Sequence, residues 1–230
     1  MELHKWFSTP IGIVNFGEMS RPMNKELIST IDHELDVLGN KENRSWADNS
    51  ASTVNNLINH PCFRQLDQVV GVSFRNIMHE YGYTKKALSQ WIHASYYWGN
   101  RASKGGWSRP HYHGTGETLW SGVYYPNGYE LPEDNLDEFV QDEWVFNNIG
   151  NINPGGFLCL QDSSFTTKGV ITPNNRDILG LKSDFTLRKW IKPRQGLLIL
   201  FPAWQDHFVE PINTDVNRYS ISFAIEVRRK

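Results

Sequence analysis

The sequence predicts a mostly β protein with flanking helices, of the α+β class. Three observations predict it. The apolar period changes from 3.6 to 2 near residue 90, the amphipathic helical stripes fall before that point, and the segments after it are short apolar runs separated by turns rich in Gly, Pro and Asn. Several short strands following a helical part imply a barrel or sandwich with helices packed on it.

An extended opening through Trp6, Ile11 and Val14 comes first. Leu27, Ile28, Ile31, Leu35 and Leu38 then recur at helical spacing, and Gly39-Asn40 is a fitting terminus. A second helix carries Phe63, Leu66, Val70, Phe74 and Ile77 on one face and stops before Gly82. Both stripes read as surfaces packed against a sheet. From residue 90 onward Ile92, Ala94, Tyr96 and Trp98 alternate with His93, Ser95 and Tyr97. Leu119 to Tyr125 is aromatic and β-branched, and Phe157 to Leu160 and Leu197 to Phe201 are apolar runs opening after glycine. The last strand is the clearest: Tyr219, Ile221, Phe223, Ile225 and Val227 share one face, with Arg218, Ser220, Ser222 and Ala224 on the other.

The chain has 230 residues, which suits a single domain over 1–230, with 1–90 as an N-terminal strand and supporting helices and 91–227 as the β core. Its 23 Lys+Arg against 25 Asp+Glu leave a charge of −2, so bulk charge selects no partner. No stretch approaches the ~20 unbroken apolar residues of a membrane span, and no secretory signal is readable. Cys62 and Cys159 alone form neither a disulfide framework nor a thiolate metal motif. These features together predict a cytoplasmic protein in a reducing compartment. Pro126 to Pro154 is a long polar connection, of a length that is functional or mobile inside a compact domain.

Three of the eight histidines stand in informative contexts. In Ser108-Arg109-Pro110-His111-Tyr112-His113, an extended backbone projects His111 and His113 to the same face, where two imidazoles can chelate. His207 follows the apolar strand ending at Phe201. Ligands drawn from two distant strands are a common construction of a metal centre inside a barrel. Solvated histidines on a polar edge would give the same short motif. His4, His33, His60, His79 and His93 lack such spacing and read as structural or surface residues. Arg218 heads the last strand with Ser220 and Ser222 on its face, a grouping suited to a carboxylate, although an interior ion pair would also explain it.

The ordered set His111-x-His113, Ser121-Gly122-Val123-Tyr124-Tyr125, Pro193-Arg194-Gln195-Gly196 running into Leu197 to Trp204, His207 and Arg218-Tyr219-Ser220-Ile221-Ser222-Phe223 resembles a phage and bacterial branch of the Fe(II)/2-oxoglutarate-dependent oxygenases. That branch is related in layout to prolyl hydroxylases. The resemblance covers residues 91 to 227 and extends weakly to Trp6-Phe7-Ser8-Thr9-Pro10. It implies a double-stranded β-helix (a cupin-like jelly roll), with Fe(II), 2-oxoglutarate and O2 as cofactor and cosubstrates. It further implies His111 and His207 as metal ligands, Arg218 as the anchor of the far carboxylate of 2-oxoglutarate, and Ser220 as its helper. The reaction implied is hydroxylation of a peptide side chain or small molecule with release of succinate and CO2, and no side chain is needed as general base.

One position departs from the pattern, because the family commonly has H-x-D or H-x-E where this chain has His113. Glu117 is the alternative ligand: Gly105, His111, His113 and Glu117 have the spacing of the first cupin motif, and a cupin-like metalloenzyme need not use 2-oxoglutarate. A non-catalytic β-barrel module, as in a virus particle, is a third reading. Asn100, Ser121, Tyr124 and Trp204 lie near the motifs and are candidates to line the pocket.

Residues 110 to 167 contain nine acidic residues and no Lys or Arg, so the remainder carries +7. Beside the site this run would favour a neutral or cationic substrate and disfavour nucleic acid; as a solvated loop it would do neither. The substrate and the oligomeric state are not legible, and a virus-encoded enzyme acting in a host cytoplasm fits the resemblance.

Overall fold

A computed structural model supplies the structure and describes residues 9–39, 41–42, 49–114, 117–128, 140–142, 155–162 and 188–230. The chain opens on strand β1 (Gly12–Asn15), then helix α1 (Arg21–Asp32). Strands β2 (Lys41–Glu42) and β3 (Ser50–Thr53) precede α2 (Pro61–Glu80) and the short α3 (Lys85–Leu88). The β-rich part holds β4 (Trp91–Ala102), β5 (Ser108–His111), β6 (Thr118–Tyr125), β7 (Val140–Asp142), β8 (Leu158–Gln161), β9 (Arg188–Ile191), β10 (Leu197–Pro202), β11 (His207–Val209) and β12 (Arg218–Arg229).

Helix ends follow their local chemistry. Proline stands in the first turn of both α1 and α2, where its missing N–H costs nothing. Helix α2 ends in a Schellman motif: Gly82, at φ 99°, donates to the His79 carbonyl, and Tyr83 donates to that of Met78. Helix α1 runs on as a π-helical turn, His33–Val37. The wider turn keeps Leu35 buried but carries Leu38, expected on the buried stripe, out to 58 % exposure.

Two antiparallel sheets face each other, one ordered β1-β10-β6-β12-β4-β3-β2 and the other β5-β11-β8-β9-β7. This is the double-stranded β-helix. Helices α1 and α2 cover the outer face of the larger sheet. Their Leu27, Ile31, Phe63, Leu66 and Val70 pack there against Tyr97, Tyr124, Leu198, Ile221 and Phe223. The inner face joins the smaller sheet through Val123, Tyr125, Leu197, Ile199 and Phe201, packed on Leu158, Leu160 and Ile191. The unbroken apolar run of β10 is thereby explained, since Leu198 and Leu200 serve one layer while Leu197, Ile199 and Phe201 serve the other. In β12 the alternation holds as well, with Ile221, Phe223 and Ile225 toward the helices. Close approach of helix to sheet requires small residues: a Cβ at Gly99 in β4 would overlap the Ile31 side chain, and one at Gly12 in β1 would overlap Ile77.

The N-terminal part contributes three strands to the larger sheet, where one extended segment was expected. Trp6 and the weakly similar opening up to Ser8 lie outside the described residues, as do most of 126–154 and most of the acidic run. Among the described residues no helix is long and apolar enough to cross a membrane. Both cysteines are buried and are not joined in a disulfide.

Candidate metal and cosubstrate site

The pairing of β5 with β11 sets His111 directly opposite His207. Directly opposed residues of an antiparallel pair project to the same side, so the two rings meet with centroids 4.3 Å apart. His113, two residues beyond His111, is fixed by its N–H donating to the Ala203 carbonyl at 2.8 Å. Its ring lies 5.1 Å from His111 and 5.0 Å from His207, and the candidate ligand atoms of the three all fall within 4.8 Å of one another.

Two rings carry the same orienting contact. Nδ1 of His111 lies 2.8 Å from the Arg109 carbonyl and Nδ1 of His207 lies 2.9 Å from that of Gln205. A carbonyl only accepts, so Nδ1 holds the proton in each ring and Nε2 keeps its lone pair. The Gln205 side chain in turn donates to the Gln161 and Asp206 carbonyls, tying the loop before β11 to β8. Burial pushes the His207 imidazole down to about 3, aided by His111 and His113. His113 is lowered to about 4, mainly by burial and then by His111. Both are neutral at physiological pH, the state a metal ligand requires.

The cluster opens on a cavity of about 580 Å³ between the sheets. On the wall made by the larger sheet, Arg218 is buried and donates through Nη2 to Ser220 Oγ at 3.3 Å. Its guanidinium lies 5.4 Å from the centre of the Tyr125 ring. The Arg218 Nε and the Tyr125 hydroxyl are both buried without a hydrogen-bond partner among the described residues. Burial raises the Tyr125 pKa, partly offset by Arg218, so the phenol stays protonated and able to donate. Two orphaned donors at one place cost free energy unless a ligand accepts from them.

A polar row crosses the same wall. Ser52 Oγ donates to Asn100 Oδ1 at 2.6 Å, while Asn100 Nδ2 faces the Ser220 carbonyl at 3.3 Å and Ser222 Oγ at 3.1 Å. The Ser220 carbonyl can only accept, which fixes the amide's orientation. Ser52 then has lone pairs left to accept with, and Ser222 has its O–H left to donate.

Of the residues expected in the pocket, Asn100 lines the cavity, as does Ser220, expected beside Arg218. Ser121 does not; its hydroxyl donates to the Phe223 carbonyl at 2.7 Å. Tyr124 corrects the expectation: its place in the β6 alternation turns it to the helix layer, where its hydroxyl bonds Asn24. Trp204 sits in the turn between β10 and β11, half exposed and away from the cavity lining. Glu117 stands apart from the histidines, on the surface, with its carboxylate 3.1 Å from Arg228. The cupin spacing therefore does not bring a carboxylate to this cluster.

Ser222, expected on the face of Arg218, also lines the cavity, whereas Tyr125, Trp98 and Ser52 are pocket residues that the sequence reading does not name as such. Two of these carried a readable signal: Tyr125 shares strand parity with Val123, and Trp98 is the register partner of Ser222. Ser52 carried none, because Ser50-Ala51-Ser52-Thr53 has no apolar alternation to mark a strand.

A double-stranded β-helix with a metal-capable imidazole cluster facing a buried arginine defines a class of mononuclear metalloprotein that also takes an acidic small molecule. Residues 96–224 match the family described as "Putative 2OG-Fe(II) oxygenase". The chain belongs to the Fe(II)/2-oxoglutarate-dependent oxygenase family, and its cofactor and cosubstrate are Fe(II) and 2-oxoglutarate. Among solved structures it resembles a prolyl-4-hydroxylase from Pseudomonas putida, with TM-score 0.60 and 13% identity over 97% of this chain and 95% of that one. It also resembles the viral collagen prolyl hydroxylase of Paramecium bursaria chlorella virus-1, solved with 2-oxoglutarate, with TM-score 0.53 and 14% identity over 94% of each chain. A third is HygX of Streptomyces hygroscopicus, solved with nickel and 2-oxoglutarate, with TM-score 0.52 and 11% identity over 95% of this chain and 83% of that one. By sequence, no curated protein matches the chain.

Proposed function

We propose that this oxygenase hydroxylates an uncharged position on a peptide side chain or small molecule, with His111, His113 and His207 as the protein's iron ligands. Arg218 and Ser220 anchor the far carboxylate of 2-oxoglutarate in this reading, and Tyr125 assists them. The observation that supports it most is one cavity holding three converging imidazoles and, on the facing wall, the unpartnered Arg218 Nε and Tyr125 hydroxyl. The donor sets fit the groups: imidazole suits Fe(II), and a guanidinium with a phenol suits a carboxylate. When bound, the iron and 2-oxoglutarate supply an oxidative decarboxylation coupled to hydroxylation, with O2 consumed and succinate and CO2 released.

The chain's own residues position and shield. Trp98, 5.7 Å from the His113 ring, and Phe201, 4.8 Å from that of His207, put apolar surface beside the cluster and keep water out. The free acceptor of Ser52 and the free donor of Ser222 suit a neutral substrate group carrying both a donor and an acceptor. No side chain is assigned as general base. The buried thiols, not joined in a disulfide, fit a reducing cytoplasm, and the family resemblance and a viral structural neighbour support a virus-encoded enzyme acting there. We read 1–230 as one domain, since β1, β2 and β3 complete the larger sheet.

The test is iron-dependent turnover of 2-oxoglutarate to succinate, measured alone and with panels of neutral peptides and small molecules. Turnover abolished by His207→Ala and stimulated by one member of a panel supports the reading. No succinate with stoichiometric Fe(II) bound would sink it.

A further inference from the structure

The proposed ligand set is uncharged throughout, because a ligating imidazole is neutral. Among the described residues no Asp or Glu lines the cavity, and the charged side chain that does, Arg218, is a cation. Glu117, four residues after His113, is engaged with Arg228 on the surface, and Asp206, the chain neighbour of His207, neither joins the converging histidines nor lines the cavity. A divalent metal held by His111, His113 and His207 therefore keeps its full double charge as far as the described side chains are concerned.

Two consequences follow from charge and donor chemistry. Ferric iron gains more than ferrous iron from an anionic ligand, so a cage without one disfavours the ferric state. Oxygen-preferring cations such as Mn(II) and Mg(II) depend on carboxylates, whereas imidazole suits Fe(II), Ni(II) and Zn(II). The residue that decides is His113, because the other two rings are locked in register and oriented by backbone carbonyls.

Resting on the three-histidine reading above, we infer that His113 is a specificity-determining residue for the metal. By keeping the cage all-imidazole, it selects against Mn(II) and Mg(II) and holds iron ferrous more strongly than a carboxylate there would. The choice bears on which metal loads and on how readily iron is lost to the ferric state.

The experiment titrates metal-free wild type and the His113→Asp, His113→Glu and His113→Asn variants anaerobically with Mn(II), Ni(II) and Fe(II). It also measures the Fe(III)/Fe(II) midpoint of each iron-loaded protein. Either acidic variant is expected to tighten Mn(II) relative to Ni(II) by about tenfold or more. Its midpoint is expected to fall by at least about 59 mV, the one-electron equivalent of a tenfold change in relative affinity. The Asn variant changes the donor atom but not the charge, and its midpoint should stay within that margin. Two acidic variants are used so that misfolding of one leaves the test intact. An unmoved Mn(II)/Ni(II) ratio and midpoint, in protein binding Ni(II) one to one, overturns the inference and leaves the three-histidine reading standing. If wild type binds neither Ni(II) nor Fe(II) one to one, or if His207→Ala binds as wild type does, that reading fails and the inference with it.

Discussion

His111 and His207 face each other in register across the β5–β11 pair, with ring centroids 4.3 Å apart. Each ring's Nδ1 contacts the carbonyl two residues before it. The sheet ladder sets this geometry, and His113 is added by one backbone hydrogen bond to the loop after β10.

Replacing His207 or His111 by Ala should weaken Fe(II) or Ni(II) binding by about 100-fold or more, on the scale by which even outer-shell partners change metal affinity 10–100-fold. The exposed His79 provides the control, and His79→Ala should leave binding unchanged. Titration of metal-free protein checks both, and equal loss at His79 would count against a local site.

Arg218→Ala should weaken 2-oxoglutarate by about 10- to 100-fold while leaving metal affinity within a factor of about two, since a charge-assisted hydrogen bond contributes ~1.5–3 kcal/mol. Tyr125→Phe removes a single neutral donor and should cost about tenfold at most. Isothermal titration of the Ni(II)-loaded protein separates the two binding events. Loss of metal in Arg218→Ala would show that the residue holds the fold and not the cosubstrate.

The metal-free protein should lose stability as pH falls below 6.5. Folded His113 titrates at about 4 and folded His207 at about 3, whereas the unfolded chain takes up these protons near the ordinary value of 6.5. Between those values the unfolded state binds more protons, so stability falls with falling pH, by up to ~1.4 kcal/mol per pH unit for each ring. Urea unfolding at pH 7.5, 6 and 5 should show a shallower decline in His207→Ala than in wild type. Identical slopes would contradict the buried, neutral state of that ring.

Gly99→Ala should lower stability by about 1–3 kcal/mol, because its methyl group would overlap Ile31 where α1 crosses β4. Thermal unfolding measures it. A variant as stable as wild type would mean that the helix layer yields without cost.

Much of this was legible because periodicity and parity are written into the chain. The alternation in β12 separates Ile221 and Phe223 from Arg218, Ser220 and Ser222, and the structure divides them between the helix layer and the cavity in that way. His111-x-His113 and His207 could be named, but their convergence depends on a register that no local pattern encodes. Tyr124 and Tyr125 are equally aromatic neighbours, and only the parity of β6 against the helices decides which one reaches the site. Glu117 fitted a motif spacing, yet the start of β6 carries it to the surface beside Arg228. Strand β3 was invisible because small polar residues form it, and its pairing with the far longer β4 holds it in place.

In the proposed function, three histidines and Arg218 make one site for Fe(II) and 2-oxoglutarate together. Its most direct test is the visible metal-to-ligand charge-transfer absorption on adding 2-oxoglutarate to the anaerobic Fe(II) protein. A saturable band is expected in wild type, with its loss in His207→Ala and a band in Arg218→Ala that appears only at 2-oxoglutarate concentrations higher by about tenfold or more. Stoichiometric Fe(II) with no band at any 2-oxoglutarate concentration, or an unshifted titration in Arg218→Ala, would contradict it.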